Sequence, residues 1–180
     1  SQGSMITTDN ALDVAIDGDG FFEVLRPDGT MGYTRNGTFS RSATGLMTSQ
    51  AGYVLQPEIS IPDGASQITI SQDGLMTAML PGESAITELG QITISTFANP
   101  RGLTPIGENF FLSTAASGPA NTGVPFTEGR GKLVQGNLEA SNVNVVQQLV
   151  EMIETQRAYE VSSKSITASD EMMRYISNNL

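Results

Sequence analysis

The residues best suited to chemistry lie in a short acidic segment, where residues 17–20 read Asp-Gly-Asp-Gly. Carboxylates two residues apart begin the calcium loop of an EF-hand, which also needs further oxygen ligands and a closing Glu. Phe21 stands at the third ligand position, and no Glu closes the loop. The same glycines do not open a dinucleotide-binding fingerprint, since Glu23 takes the place of its third glycine. We therefore interpret this segment as a turn.

A second glycine-containing segment, Gly-Arg-Gly-Lys at residues 129–132, carries the Gly-Lys pair of a phosphate-binding loop. Phe126 occupies the first glycine position of that loop and Leu133 replaces its hydroxyl residue, so this interpretation fails. Asn36 begins a formal glycosylation sequon. Because Asn-Gly is also the strongest signal for a hairpin, we assign Asn36 to a turn.

Composition excludes several other kinds of site. The 180 residues include no His and no Cys, which removes disulfides, imidazole and thiolate metal ligands, and Ser-His or Cys-His catalysis. The net charge of −10 argues against binding to nucleic acid or to an anionic membrane surface. No apolar run approaches the ~20 residues of a membrane-spanning helix. The 19 acidic residues could supply the carboxylate pair of a glycosidase, but no pair stands out. We predict no enzyme, no metal and no cofactor.

Short apolar strands separated by turn dipeptides make up most of the chain. Asp-Gly and Asn-Gly pairs recur roughly every ten residues and favour the positive φ angles of hairpin turns. No segment of helical period intervenes, so the pattern predicts a mainly β fold with an antiparallel, meander or barrel-like domain. The predicted strands lie at residues 12–16, 21–25, 31–34, 46–48, 53–55, 67–71, 75–79, 89–97 and 132–135.

This β domain is predicted at residues 11–135, after a polar lead-in at 1–10, and it includes a Gly/Pro/Ser-rich loop at 113–131. A connector at 136–143 leads into one long amphipathic helix at 144–180, where neither Gly nor Pro occurs. A helix of this length is about 54 Å long, more than the preceding domain can cover.

Apolar residues recur along the helix at intervals of seven, whereas the companion heptad line becomes polar after its first member. We call the predicted apolar row the helix seam and expect it to face other helices in an assembly. Its members are Val145, Leu149, Met152, Tyr159, Ile166, Met173 and Leu180.

Two groups of segments resemble the bacterial flagellar rod and hook family. The first reads DVAIDGDGFFEV at 13–24 and continues with YTRNGTF, GLMT and GYVL, which begin at residues 33, 45 and 52. The second reads GNLEASNVNV at 136–145 and continues with LVEMI and QRAYEVSSK, which begin at residues 149 and 156. They span nearly the whole chain in the family's order.

The resemblance implies a structural subunit of the distal rod, which self-assembles into a helical tube and transmits motor torque to the hook. The alternatives within the family are a proximal rod or a hook subunit. Implied partners are copies of itself, other rod subunits, the hook and the ring bushing. Implied localisation is the basal body, from periplasm to outer membrane, after export by the flagellar type III apparatus.

Family members also carry an N-terminal helix that has no counterpart in this sequence. We therefore expect a shortened chain that is by itself a monomer or a weak oligomer. Two alternatives of other classes are a secreted β-rich adhesin with a helical stalk, which predicts a discrete trimer, and a carbohydrate-active enzyme. Two carboxylates that converge in a cleft would favour the enzyme.

Overall fold

The computed structural model describes residues 3–82, 85–140 and 145–178, and within the helix it describes the side chains of residues 149–169. The chain divides into two compact units, one up to Ala140 and one after it. We call them the β unit and the helix unit.

Short strands build the β unit, and every strand pairing within the described residues is antiparallel. In chain order the strands are β1 (Met5–Thr7), β2 (Val14–Asp17), β3 (Phe21–Leu25), β4 (Met31–Thr34), β5 (Phe39–Arg41), β6 (Met47–Ser49), β7 (Val54–Gln56), β8 (Ser66–Ile70), β9 (Leu75–Met79), β10 (Ile86–Gln91), β11 (Ile94–Thr96), β12 (Thr104–Gly107), β13 (Phe110–Leu112), β14 (Asn121–Gly123), β15 (Lys132–Gln135) and β16 (Asn137–Glu139).

The described strands form four sheets. The largest runs in the order β12-β13-β4-β3-β7-β6-β5, with β11 pairing with both β3 and β14. Strands β8 to β10 form a three-stranded sheet, while β2 pairs with β15 and β1 with β16. The predicted mainly β fold is confirmed. The path of the largest sheet is open at both ends, so the barrel-like form of that prediction is not confirmed.

Turn glycines allow the tight connections that the dipeptide pattern predicts. Gly74, between β8 and β9, has a φ of +88°, a conformation that L side chains rarely adopt. A Cβ at this position would collide with the carbonyl oxygen of Ile92. That close approach has a structural use, because the amide of Ile92 donates a 2.8 Å hydrogen bond to the carbonyl of Gly74.

The core of the β unit collects the inward-facing residues of strands from different sheets. Its main cluster consists of Val14, Ile16, Phe22, Phe39, Met47, Leu55, Ile59, Ile61, Ile70, Met76, Ile92, Ile94 and Leu133. A smaller cluster is aromatic, with the rings of Tyr33 and Phe97 meeting edge to face at 4.8 Å between centroids. Burial of these side chains, at roughly 1.5–3 kcal/mol each, stabilises the β unit.

The helix unit contains one α-helix, α1 (Val145–Asn178), whose 34 residues span about 51 Å. Every described side chain from 149 to 169 is exposed. Thr155 donates a 2.8 Å hydrogen bond to the carbonyl of Glu151 one turn earlier, so its hydroxyl is satisfied within the helix. Within the described residues no helix is both long and apolar enough to cross a bilayer.

Several predicted segments differ in detail from the structure. The lead-in at 1–10 and the connector at 136–143 contain β1 and β16, which pair with each other. The loop at 113–131 contains β14, and the strand predicted at 89–97 is divided between β10 and β11. The divided strands belong to different sheets, because the chain turns at Ile92 to bond with Gly74.

Candidate assembly sites

The helix seam is the first candidate site, and its described members are uncovered. The exposed fraction is 51% for Leu149, 58% for Met152, 78% for Tyr159 and 65% for Ile166. The backbones of Val145 and Met173 belong to α1, but their side chains lie outside the described residues, as does the whole of Leu180. The seam as a contact surface therefore stays a prediction.

Apolar side chains are not confined to the seam. Val150, Ile153 and Val161 are also exposed. At roughly 100° per residue, Val150 and Val161 project about 160–180° away from Tyr159. A helix with apolar side chains on opposite sides can bury them only between more than one neighbour.

The second candidate site is an open cleft of ≈ 980 Å³ within the β unit. It brings together the acidic turn at residues 17–20 and the Gly-Arg-Gly-Lys segment at residues 129–132. The amide of Gly131 donates a 2.8 Å hydrogen bond to the carbonyl of Asp19, which joins the segments directly. Gly131 is also closely packed, since a Cβ there would lie 2.9 Å from the carbonyl oxygen of Asp17.

Arg35 is the best-connected side chain of this cleft. Its Nε donates to Glu139 Oε2 at 2.8 Å, and Nη1 donates to the carbonyls of Gly18 and Gly20 at 3.1 and 2.9 Å. Its Nη2 donates to the carbonyls of Ile16 and Gly18 at 3.3 and 3.2 Å. One guanidinium thus holds the acidic turn on one side and β16 on the other.

Three of the four carboxylates that line the cleft are paired with cations. Asp17 lies 3.2 Å from Lys132 Nζ, Glu128 lies 2.8 Å from Arg130 Nη1, and Glu139 is paired with Arg35. Glycoside hydrolysis needs two carboxyls, one to protonate the leaving group and one to act as base or nucleophile, and these ion pairs leave only Asp19 outside a pair. Within the described residues no cluster of three or more acidic side chains could hold a metal ion.

Sequence reasoning assigned no role to Arg35 or Glu139. Both lie in the segments that carry the family resemblance, at 33–39 and 136–145. Their place in these segments was the signal that the sequence offered for a role. It did not indicate that Arg35 and Glu139 pair with each other, because they are 104 positions apart.

Comparison with known proteins identifies the class to which this fold and these surfaces belong. The family model of the flagellar hook protein FlgE/F/G D1 domain matches residues 15–78. The model of the flagellar basal body rod FlgEFG protein C-terminal region matches residues 134–180. The cleft takes residues 17–21 and Arg35 from the first matched region and Glu139 from the second, whereas the rest of its lining lies between them. The helix lies in the second region.

Whole-chain relatives agree with the family models. The flagellar basal-body rod protein FlgG of Borreliella burgdorferi is 46% identical over 181 residues, covering 99% of this chain and 68% of the relative. FlgG of Agrobacterium fabrum is 44% identical over 180 residues, covering 100% of this chain and 69% of the relative. FlgG of Buchnera aphidicola from Acyrthosiphon pisum is 44% identical over 177 residues, covering 98% and 68%.

The chain belongs to the flagellar basal-body rod and hook family, whose members are structural and not enzymatic. Within that family it is a structural subunit of the distal rod, located in the flagellar basal body. Self-assembly with other rod and hook components follows from the family. The relatives support the rod interpretation over the adhesin alternative.

Proposed function

We propose that this subunit assembles with copies of itself through the helix seam, forming the wall of a helical tube. The tube carries motor torque to the hook, spans from the periplasm to the outer membrane and turns inside a ring bushing. Its subunits leave the cell through the flagellar type III apparatus. The sequence has no Cys, which is compatible with secretion in an unfolded state.

The observation that carries this proposal is the exposure of apolar side chains along α1. Leu149, Met152, Tyr159 and Ile166 are each more than half exposed. These large apolar side chains recur along one line of the helix, and such exposed apolar surface is typical of a site that binds a partner. A large buried Met, Ile or Leu is worth roughly 1.5–3 kcal/mol, so burying even these side chains between neighbouring helices would favour assembly.

Apolar residues on opposite sides of the helix support a tube in preference to a pair of helices. A tube wall gives each helix at least two neighbours, and these contacts join unlike surfaces in an open helical array. Val150 and Val161 would then meet one neighbour while Tyr159 meets another.

The test places charges on the seam in the full-length protein. Ile166→Asp combined with Met173→Asp is expected to abolish rod assembly and swimming, because each carboxylate would be buried without a partner. Ser163→Asp is the matched control, since Ser163 lies on the polar companion line and its side chain is exposed. Isolated basal bodies seen by electron microscopy and motility in soft agar report the two results.

Intact rods and normal swimming in the double variant would contradict the seam. Light scattering gives an independent result for the 180-residue chain alone, for which we expect a monomer or a weak oligomer. A discrete trimer would contradict the tube and favour a stalked module.

A further inference from the structure

We propose that Arg35 and Glu139 are positioning residues that form a clamp. The clamp locks the two-stranded ribbon of β1 and β16, here called the neck ribbon, onto the body of the β unit. It thereby fixes the path on which the chain leaves that unit at Ala140. Its role under torque rests on the proposed function, whereas its role in holding the ribbon does not.

The neck ribbon is too small to hold its own position. It pairs only three residues with three, Met5 with Glu139, Ile6 with Leu138 and Thr7 with Asn137. An isolated two-stranded ribbon is marginally stable at best in water. The three residues of β1 are exposed, and no residue of either strand belongs to the two core clusters.

Polar contacts hold the ribbon at both of its ends. At one end the amide of Thr8 donates to the carbonyl of Gly136, whose own amide donates to the carbonyl of Asp13, both at 2.7 Å. These are backbone contacts that most substitutions leave in place. At the other end the amide of Ala140 donates to the carbonyl of Ser4 at 2.8 Å, and the side chains of Arg35 and Glu139 join the ribbon to the body of the β unit.

Glu139 uses both carboxylate oxygens at that second end. Oε2 accepts from Arg35 Nε and Oε1 accepts from the amide of Gly3, each at 2.8 Å. The Glu139 side chain is only 13% exposed, so solvent screens this pair less than a surface ion pair. Since Glu139 is the last residue of β16, its side chain and the 2.8 Å hydrogen bond from the amide of Ala140 to the carbonyl of Ser4 are the contacts nearest to the point where the chain leaves the ribbon.

Arg35 anchors the contact in rigid backbone. Its remaining donors bind the carbonyls of Ile16, Gly18 and Gly20, so the guanidinium is fixed on the acidic turn before it reaches Glu139. Its centre also lies 5.9 Å from the ring centroid of Phe21. A planar fork with five N–H groups can make all of these contacts, whereas a lysine ammonium is a point charge with three donors.

The experiment is hydrogen exchange, followed by mass spectrometry, on the 180-residue chain with Glu139→Gln or Arg35→Lys. We expect the amides of the neck ribbon to exchange about tenfold faster in both variants, because local opening no longer breaks the charged hydrogen bonds. Amides in β3 and β4, which lie in the large sheet, are expected to keep wild-type protection.

Asp63→Asn is the matched control. This substitution removes the ion pair in which Asp63 Oδ1 lies 2.6 Å from Arg41 Nη2. The Asp63 side chain is 94% exposed, and the pair has no contact with the ribbon. Unchanged exchange in the ribbon of either clamp variant would overturn the proposal. Equal loss of protection in β3, β4 and the ribbon would also overturn it, because it would indicate general destabilisation.

A second experiment tests the proposed role of the clamp under torque. Cells whose rods carry Glu139→Gln are expected to assemble rods and to rotate normally at low viscosity, but to slow more than wild type as viscosity rises. Equal rotation at every load would overturn the torsional role. Because the exchange measurement uses no rod, it separates failure of the clamp from failure of the proposed assembly.

Discussion

The β unit and the helix unit treat the same kinds of side chain in opposite ways. Leu55 is completely buried in the β unit, while Leu149 on the helix is 51% exposed. Ser95 is buried and bonded to Glu23, while Ser163 on the helix is exposed. The β unit thus has a buried core, whereas every described side chain of the helix from 149 to 169 is exposed.

On the proposed function, folding depends on residues of the β unit and assembly on residues of the helix. Substitutions in the β unit are expected to change the free energy of unfolding, and matched substitutions on the helix to change association instead. Three pairs of residues of the same type, one in the β unit and one on the helix, test that division.

The largest effect is expected for the leucine pair. Leu55→Ala should lower the free energy of unfolding by about 2–5 kcal/mol, because it removes buried methyl groups and leaves a cavity. Leu149→Ala should change it by no more than about 0.5 kcal/mol. Urea unfolding followed by tyrosine fluorescence measures both, and equal losses for the two variants would contradict the division.

The serine pair tests the buried polar contacts. Ser95 Oγ donates to Glu23 Oε1 at 2.6 Å, and Thr122 Oγ1 donates to the same oxygen at 2.8 Å. Ser95→Ala removes one of these donors to a buried carboxylate and should cost about 1–3 kcal/mol. Ser163→Ala should be close to neutral in the same urea titration. A neutral Ser95→Ala would show that the remaining hydroxyl satisfies Glu23.

The tyrosine pair gives the smallest effect, which depends on pH. Burial raises the pKa of the Tyr33 phenol above its ordinary value of 10.0, and the nearby Glu23 carboxylate raises it further. A hydrogen bond with Ser113 has the opposite, smaller effect on this pKa. The folded state thus retains the phenol proton more strongly than the unfolded state. The resulting stability is present below pH 10 and lost as pH rises through the folded pKa.

Tyr33→Phe should therefore flatten the decline in unfolding free energy above pH 10. Tyr159→Phe removes a phenol from the exposed helix and provides the comparison. Chemical unfolding at a series of pH values measures both slopes. The same slope for the two variants would contradict the effect of burial on Tyr33.

Local sequence patterns were sufficient to predict strands whose bounds depend on neighbouring residues. The predicted bounds of β4, β9 and β15 agree with the structure, because alternation and flanking turn residues define them within a few positions. The strand predicted at 89–97 was wrong as a single element. Its alternation does continue from β10 into β11, but the backbone contact of Ile92 with Gly74 divides it, and that contact depends on a distant hairpin.

The contacts of the neck lay beyond such patterns. Met5 and Glu139 pair across more than a hundred positions, and neither strand alternates apolar and polar residues strongly enough to be recognised. The partners of Arg35 could not be predicted either, because they meet only when β2, β4 and β16 come together in the folded chain. The family and the helix, by contrast, could be predicted from contiguous residues.

The neck ribbon also makes the β unit a replaceable cassette. Its incoming and outgoing strands run side by side and antiparallel, with paired Cα atoms about 4.5–5.5 Å apart. A unit whose first and last strands lie this close can be exchanged for a larger or smaller one without moving apart the two points at which the chain enters and leaves it.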